Sequence, residues 1–181
     1  ENNLLTRFVL NGDYSLGAVK QTVSPSMDIQ VASNFERYLY YLNNEDSCRT
    51  REEMAAFGKS GKLHFDEATQ QRVRRDFFSA SVDEAETIAT IRDFHQAHGY
   101  VLDPHTAVGV RAGMANIRQG VPMICLSTAH PAKFGDAVRR AIGHEPALPE
   151  SLVGLADRES RCQVVDAEVA AVKTFVEQHA L

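Results

Sequence analysis

The chain reads as an α/β fold: a partial open parallel sheet with helices on both faces. Three observations predict it. From about residue 66 onward, helical apolar stripes alternate with short apolar runs, the signature of right-handed crossovers between parallel strands. The run Val121 to Leu126 is continuously apolar, which suits a strand covered on both faces. And 181 residues with 44% hydrophobic and 24% charged side chains match one globular α/β domain, with eleven Gly and six Pro too few for a low-complexity chain.

Taken in order, residues 1–62 form a mainly helical segment with polar loops, and 63–181 the alternating part. Asn3 to Leu10 predicts a short helix stopped by Asn11-Gly12. After a loop through Ser24-Pro25-Ser26, Ser33 opens a helix with Glu36 three positions on, the capping-box spacing, and Phe35, Leu39 and Leu42 recur on one face. A further helix spans Arg51 to Phe57 and ends at Gly58. Asp66 starts a helix through Arg75, and Phe77 to Val82 reads as a strand. Asp83 with Glu86 caps the next helix, whose stripe of Ala85, Ile88, Ile91 and Phe94 runs to a stop at Gly99. Tyr100 to Leu102 is a short strand. Asp103-Pro104 opens another helix, with Pro at its first position, bearing Ala107, Val110, Met114 and Ile117 and ending at Gly120. Gly109 and Gly113 on it are expected to allow close packing against the sheet. Val121 to Leu126 follows as a strand, then a helix from Pro131 to Ile142, a short helix after Pro149, a strand Gln163 to Val165, and a closing helix from Ala167 to His179.

Several function classes fall away. The net charge is −5, and the densest basic run, Arg72, Arg74 and Arg75, lacks interleaved aromatics, so no nucleic-acid surface is expected. No apolar run reaches the ~18 residues of a membrane span. Three cysteines without CxxC spacing argue against a disulfide frame or zinc knuckle and fit a reducing cytoplasm. His95 and His98 lie three apart in a helix's last turn, where they complement the dipole; no metal site is expected.

In open parallel sheets, ligands lie beyond the carboxyl ends of strands. Two loops qualify: Asp103-Pro104-His105-Thr106, and Ser127-Thr128-Ala129-His130-Pro131 with Lys133 one turn on. Two hydroxyls and a lysine at a helix start make a cradle for a polar heterocycle or an anion. By spacing alone, a simple helix cap by Thr128 with Lys133 solvated is an equal reading.

Four segments together resemble the threonine synthases: Ser24-Pro25-Ser26-Met27-Asp28-Ile29, Ser33-Asn34-Phe35-Glu36-Arg37, Asp103-Pro104-His105-Thr106-Ala107-Val108-Gly109, and Thr128-Ala129-His130-Pro131-Ala132-Lys133-Phe134. The opening Glu1-Asn2-Asn3 through Arg7-Phe8 is similar to a stretch in mid-enzyme. The resemblance weakens between residues 44 and 62 and after about 145. It implies the tryptophan-synthase-β-like fold of pyridoxal-phosphate enzymes, with this chain as part of the carboxyl-terminal domain. It implies the conversion of O-phosphohomoserine and water to threonine and phosphate by γ-elimination and β-addition of water. It also implies that the Schiff-base lysine and the glycine-rich phosphate loop lie upstream, since none of Lys20, Lys59, Lys62, Lys133 and Lys173 stands in the family's lysine context. The chain is then expected to be a fragment, inactive alone, whose partner is the missing amino-terminal part and whose cut sheet edge invites self-association. The alternative is a non-catalytic threonine-synthase-like domain that binds a phosphorylated metabolite.

By the same resemblance, Thr128, with Ser127 as second choice, faces the cofactor's pyridine nitrogen. Ser26, Asn34, Arg37 and Lys133 are candidates to hold the substrate phosphate, because a dianion needs cations and aimed donors. His105 is the catalytic candidate, able to assist proton movement, but since the family's Schiff-base lysine is the main acid–base group a positional, hydrogen-bonding role is the favoured reading.

Overall fold

The computed structural model describes residues 2–180, so Glu1 of the opening stretch lies outside the described residues. The chain divides into two compact units, Glu1–Ala147 and Leu148–Leu181. In the first, helix α1 (Leu4–Asn11) leads through Gly12 into strand β1 (Asp13–Ser15). Two helices follow, α2 (Phe35–Leu42) and α3 (Ser47–Ser60), then strand β2 (Lys62–His64) and helix α4 (Glu67–Asp76). Helices α5 (Glu84–His98), α6 (Pro104–Met114) and α7 (Gly135–Ile142) complete it. The second unit holds a 3-10 turn at Glu150–Leu152 and helix α8 (Val169–His179).

Most helix boundaries follow from side chains close in sequence. Asp66, Asp83 and Asp103 each have extended backbone and accept a hydrogen bond from an N–H two or three residues on, filling an otherwise empty donor of the first turn. At Asp83 the return bond from Glu86 completes a capping box. Gly99 closes α5 at φ 66°.

Elsewhere the boundaries move. The capping box read at Ser33 is not formed: Asn34 has helical backbone and caps with no side-chain bond, and the Phe35 N–H goes to the Ala32 carbonyl at 2.9 Å. The turn's main chain therefore does what Ser33 was expected to do. Helix α3 is twice as long as read. Asp46 caps it by accepting from Arg49 N, and it passes through Gly58, whose surroundings are open, to end at Gly61 with φ 67°. Helix α6 stops at Met114, leaving Ile117 outside it. The helix read from Pro131 begins as a 3-10 turn, Pro131–Phe134, and becomes α-helical at Gly135.

The chain is α/β, with eight helices and a small sheet among the described residues. The sheet itself was not foreseen: β1 and β2 pair antiparallel, Tyr14 opposite Leu63. Gly12 makes this pairing possible. At φ 67° a Cβ there would stand 2.7 Å from the Phe65 carbonyl oxygen, whose residue donates its own N–H back to Gly12 O at 2.9 Å. The four runs read as parallel strands (77–82, 100–102, 121–126 and 163–165) carry no ladder among the described residues; Val121 makes one isolated bridge to Arg118. A strand exists only through its neighbour's main chain, and apolar content cannot supply that neighbour. In 121–126 Pro122 removes a donor as well.

Two apolar clusters fill the first unit. One gathers Leu4, Phe8, Tyr14, Phe35, Leu39, Phe57 and Val73 from α1–α4 and the sheet. The other packs Ile91, Leu102, Ala107, Val110 and Ala141 where α5 meets α6 and α7. The second cluster fixes α6, and with it the loop at its amino-terminal end.

Candidate functional site

The start of α6 is a buried polar hub. Asp103 is only 1% exposed. Its Oδ1 accepts from the His105 N–H at 3.0 Å, the Thr106 N–H at 3.4 Å and the His105 ring Nδ1 at 3.0 Å. Its Oδ2 accepts the Thr106 hydroxyl. A carboxylate so surrounded keeps its acceptor sites satisfied without water, which is why it can be buried.

From this hub two arms reach distant segments. The His105 Nε2 accepts the Ser26 N–H at 3.2 Å, tying down the 3-10 turn Pro25–Met27. Since a backbone N–H can only donate, Nε2 is the acceptor nitrogen and Nδ1 carries the proton given to Asp103. His105 is 7% exposed and its ring lies 4.7 Å, centroid to centroid, from that of Phe134. The second arm is Thr106, whose Oγ accepts the Thr128 N–H at 3.0 Å and lies 3.5 Å from the Thr128 hydroxyl. Beyond Thr128, His130 accepts the Ala132 N–H at 3.1 Å through Nδ1 and so starts the turn that carries Lys133.

Three of the four sequence-read segments thus meet at one place, and their candidate residues differ in what they offer. Thr128 and Ser127 are exposed, Thr128 with its main chain anchored. Ser26 is exposed, with its N–H engaged. Lys133 is exposed on the 3-10 turn. The fourth segment stands apart: Asn34 and Arg37 are exposed near the start of α2, and no hydrogen bond joins either to the hub among the described residues. Asn34 instead borders an apolar hollow with Leu5, Phe35, Tyr38 and Phe78.

Sequence reasoning missed two members. Asp28 staples the turn by accepting from Thr22 N–H, Thr22 Oγ and Asn2 Nδ2, all at 2.8 Å. Thr106 lies inside the candidate loop Asp103-Pro104-His105-Thr106 but has no role of its own in that reading; its hydroxyl joins Asp103 to Thr128.

A family model described as "Threonine synthase, C-terminal" matches residues 106–176. The threonine synthase of Pseudomonas aeruginosa is 43% identical over 180 residues, 98% of this chain and 38% of that protein. The chain matches a carboxyl-terminal portion of the threonine synthases. Its fold agrees with two solved family members. A pyridoxal-phosphate-bound threonine synthase from Brucella melitensis superposes with a TM-score of 0.85 at 39% identity, over 99% of this chain and 39% of that one. Yeast threonine synthase gives 0.84 at 33% identity, over 98% and 40%. The chain therefore spans about two fifths of the length of the threonine synthases it matches.

The residues present suit one side of a pyridine-ring cofactor. An exposed hydroxyl at Thr128, on an anchored main chain, is a donor or acceptor of the kind a ring nitrogen takes.

Proposed function

We propose that the chain is the carboxyl-terminal portion of a threonine synthase and forms one wall of its pyridoxal-phosphate site. The observation that carries this reading is the Asp103 hub, which draws Ser26, His105 and Thr128 from distant sequence positions to one place. Pyridoxal phosphate, when bound, delocalises into its ring the negative charge that develops on the substrate carbon. The Thr128 hydroxyl, with Ser127 beside it, would hold the ring nitrogen; a neutral hydroxyl would satisfy that nitrogen without requiring it to be protonated. His105 holds rather than transfers protons, because both of its nitrogens are already engaged, one by Asp103 and one by Ser26.

The substrate is O-phosphohomoserine, and the products are threonine and phosphate. Ser26 and Lys133 flank the hub and, with Asn34 and Arg37 from α2, provide the donors and cations that a departing phosphate dianion needs. The covalent lysine belongs to the amino-terminal part of the enzyme, and the chain alone is inactive. That part is also the partner of the run 121–126, whose Ile124 and Leu126 are 81% and 78% exposed. Left uncovered, the same run is a route to self-association. No helix among the described residues is long and apolar enough to cross a membrane. The exposed, unpaired thiols of Cys48, Cys125 and Cys162 support a cytoplasmic setting.

The test is direct. The full-length polypeptide supplied with pyridoxal phosphate should develop a visible absorption band and release phosphate from O-phosphohomoserine, while the isolated chain does neither. Arg37→Ala in the full-length protein should raise KM for the phosphorylated substrate by about tenfold, as for loss of a charge-assisted bond. Unaltered steady-state constants in that variant would remove Arg37 from the phosphate site.

A further inference from the structure

We infer that Thr106 is a positioning residue for the cofactor site: its hydroxyl, held by Asp103, fixes where Thr128 stands. The inference rests on the reading of Thr128 given above, and it assigns a role to a residue that touches neither cofactor nor substrate.

The geometry is specific about direction. The Thr128 N–H can only donate, so Thr106 Oγ is the acceptor in that 3.0 Å bond. The single proton of Thr106 goes to Asp103 Oδ2. A hydroxyl that gives its proton to a buried carboxylate is a stronger acceptor on its other side, and its rotor is locked. Thr106 is buried, as is Asp103, so water does not compete for either bond. Thr128, by contrast, is exposed, lies in a segment without helix or ladder, and follows the uncovered run 121–126. Nothing in its local sequence holds it in place. Among the described residues, its main chain is anchored by a side chain from another element, twenty-two residues earlier.

This accounts for the residue type. Valine would fill the same space and remove both bonds, whereas serine would keep both and lose only a methyl. A threonine that merely filled volume would show the reverse ranking.

The experiment uses the full-length protein and its Thr106→Val and Thr106→Ser variants, with two readouts. The first is amide hydrogen exchange at Thr128 and its neighbours, with α1–α4 as the control for folding. Thr106→Val should speed exchange at Thr128 by about tenfold while α1–α4 are unchanged, and Thr106→Ser should match the parent. The second is the dissociation constant for pyridoxal phosphate, followed by visible absorption, which should weaken by about tenfold in Thr106→Val and recover in Thr106→Ser. Parent-like exchange at Thr128 in Thr106→Val overturns the inference, and so does a Thr106→Ser variant that behaves like Thr106→Val. If the unsubstituted full-length protein takes up no pyridoxal phosphate, the cofactor reading falls, and the exchange readout alone decides whether Thr106 holds Thr128.

Discussion

The two halves of the first unit solve different problems. The half built from α1–α4 and the sheet closes on itself around aromatic rings. Phe8 meets Phe35 edge-on at 4.9 Å, and Tyr14 stacks on Phe35 at 3.9 Å with its hydroxyl accepting the Ala32 N–H at 3.1 Å. The half built from α5–α7 has a smaller aliphatic core and a buried polar hub, and it leaves Val121 to Leu126 open to solvent. The first half buries its largest side chains and gains stability; the second keeps hydroxyls and an imidazole oriented at the edge of its core. Under the proposed function this region meets a ligand and the rest of a longer enzyme, and so leaves part of its apolar surface uncovered.

Substitutions can break or sharpen that contrast. The largest effect is expected at Phe35, which touches Phe8, Tyr14 and Phe65. Phe35→Ala should lower stability by about 3–5 kcal/mol, measured as a shift in the denaturant midpoint, because the cavity lies among rings that cannot all collapse inward. A loss below ~1 kcal/mol would contradict the view that this half stabilises the chain. A smaller loss, about 1 kcal/mol, is expected for Asp83→Ala, which opens the capping box of α5. In the α6 half, Gly109 and Gly113 were read alike, yet they differ. A Cβ at Gly109 meets nothing within 4 Å, whereas at Gly113 it would stand 3.1 Å from Cys125 Sγ. Gly109→Ala should therefore raise the melting temperature, gaining about 0.5–1 kcal/mol from helix propensity, and Gly113→Ala should gain less or lose.

The subtlest effect lies in the pH response of the first half. Burial, and then the hydrogen bond to Asp76, push the Tyr38 phenol up to about 12 from 10.0. A folded-state value above the unfolded one favours the protonated phenol in the fold. That contribution is complete below pH ~10 and is lost as pH rises toward 12. Tyr38→Phe should flatten the fall in stability over this window, and ultraviolet absorbance should show Tyr38 ionising late, along with Tyr14, whose phenol burial also pushes up. At the acid end, the Ser15 hydroxyl first and the Arg7 guanidinium after it hold the Asp13 carboxyl below the usual carboxylate range. Its contribution is present above the unfolded carboxylate value and is lost as pH falls through the lowered one.

What could be read from sequence follows from distance along the chain. Asp66, Asp83 and Asp103 reach their N–H partners within three residues, and Gly12 and Gly99 close helices through bonds to the preceding turn, so composition and spacing suffice. The Ser33 box failed because the same local donors had a main-chain acceptor at Ala32 that no spacing rule reveals. Motif resemblance picked out Ser26, His105 and Thr128 as belonging together, without showing what joins them.

The sequence by itself determined most of the helices, the caps at Asp66, Asp83 and Asp103, and the likeness to the threonine synthases, because each depends on neighbours a few positions away or on a linear motif. Only the tertiary structure decided that β1 pairs with β2, that the apolar run 121–126 lies open, and that Thr106 is the link between Asp103 and Thr128. A hydrogen bond between segments far apart depends on where the packed helices carry them, and that position is a property of the folded core rather than of any stretch of chain.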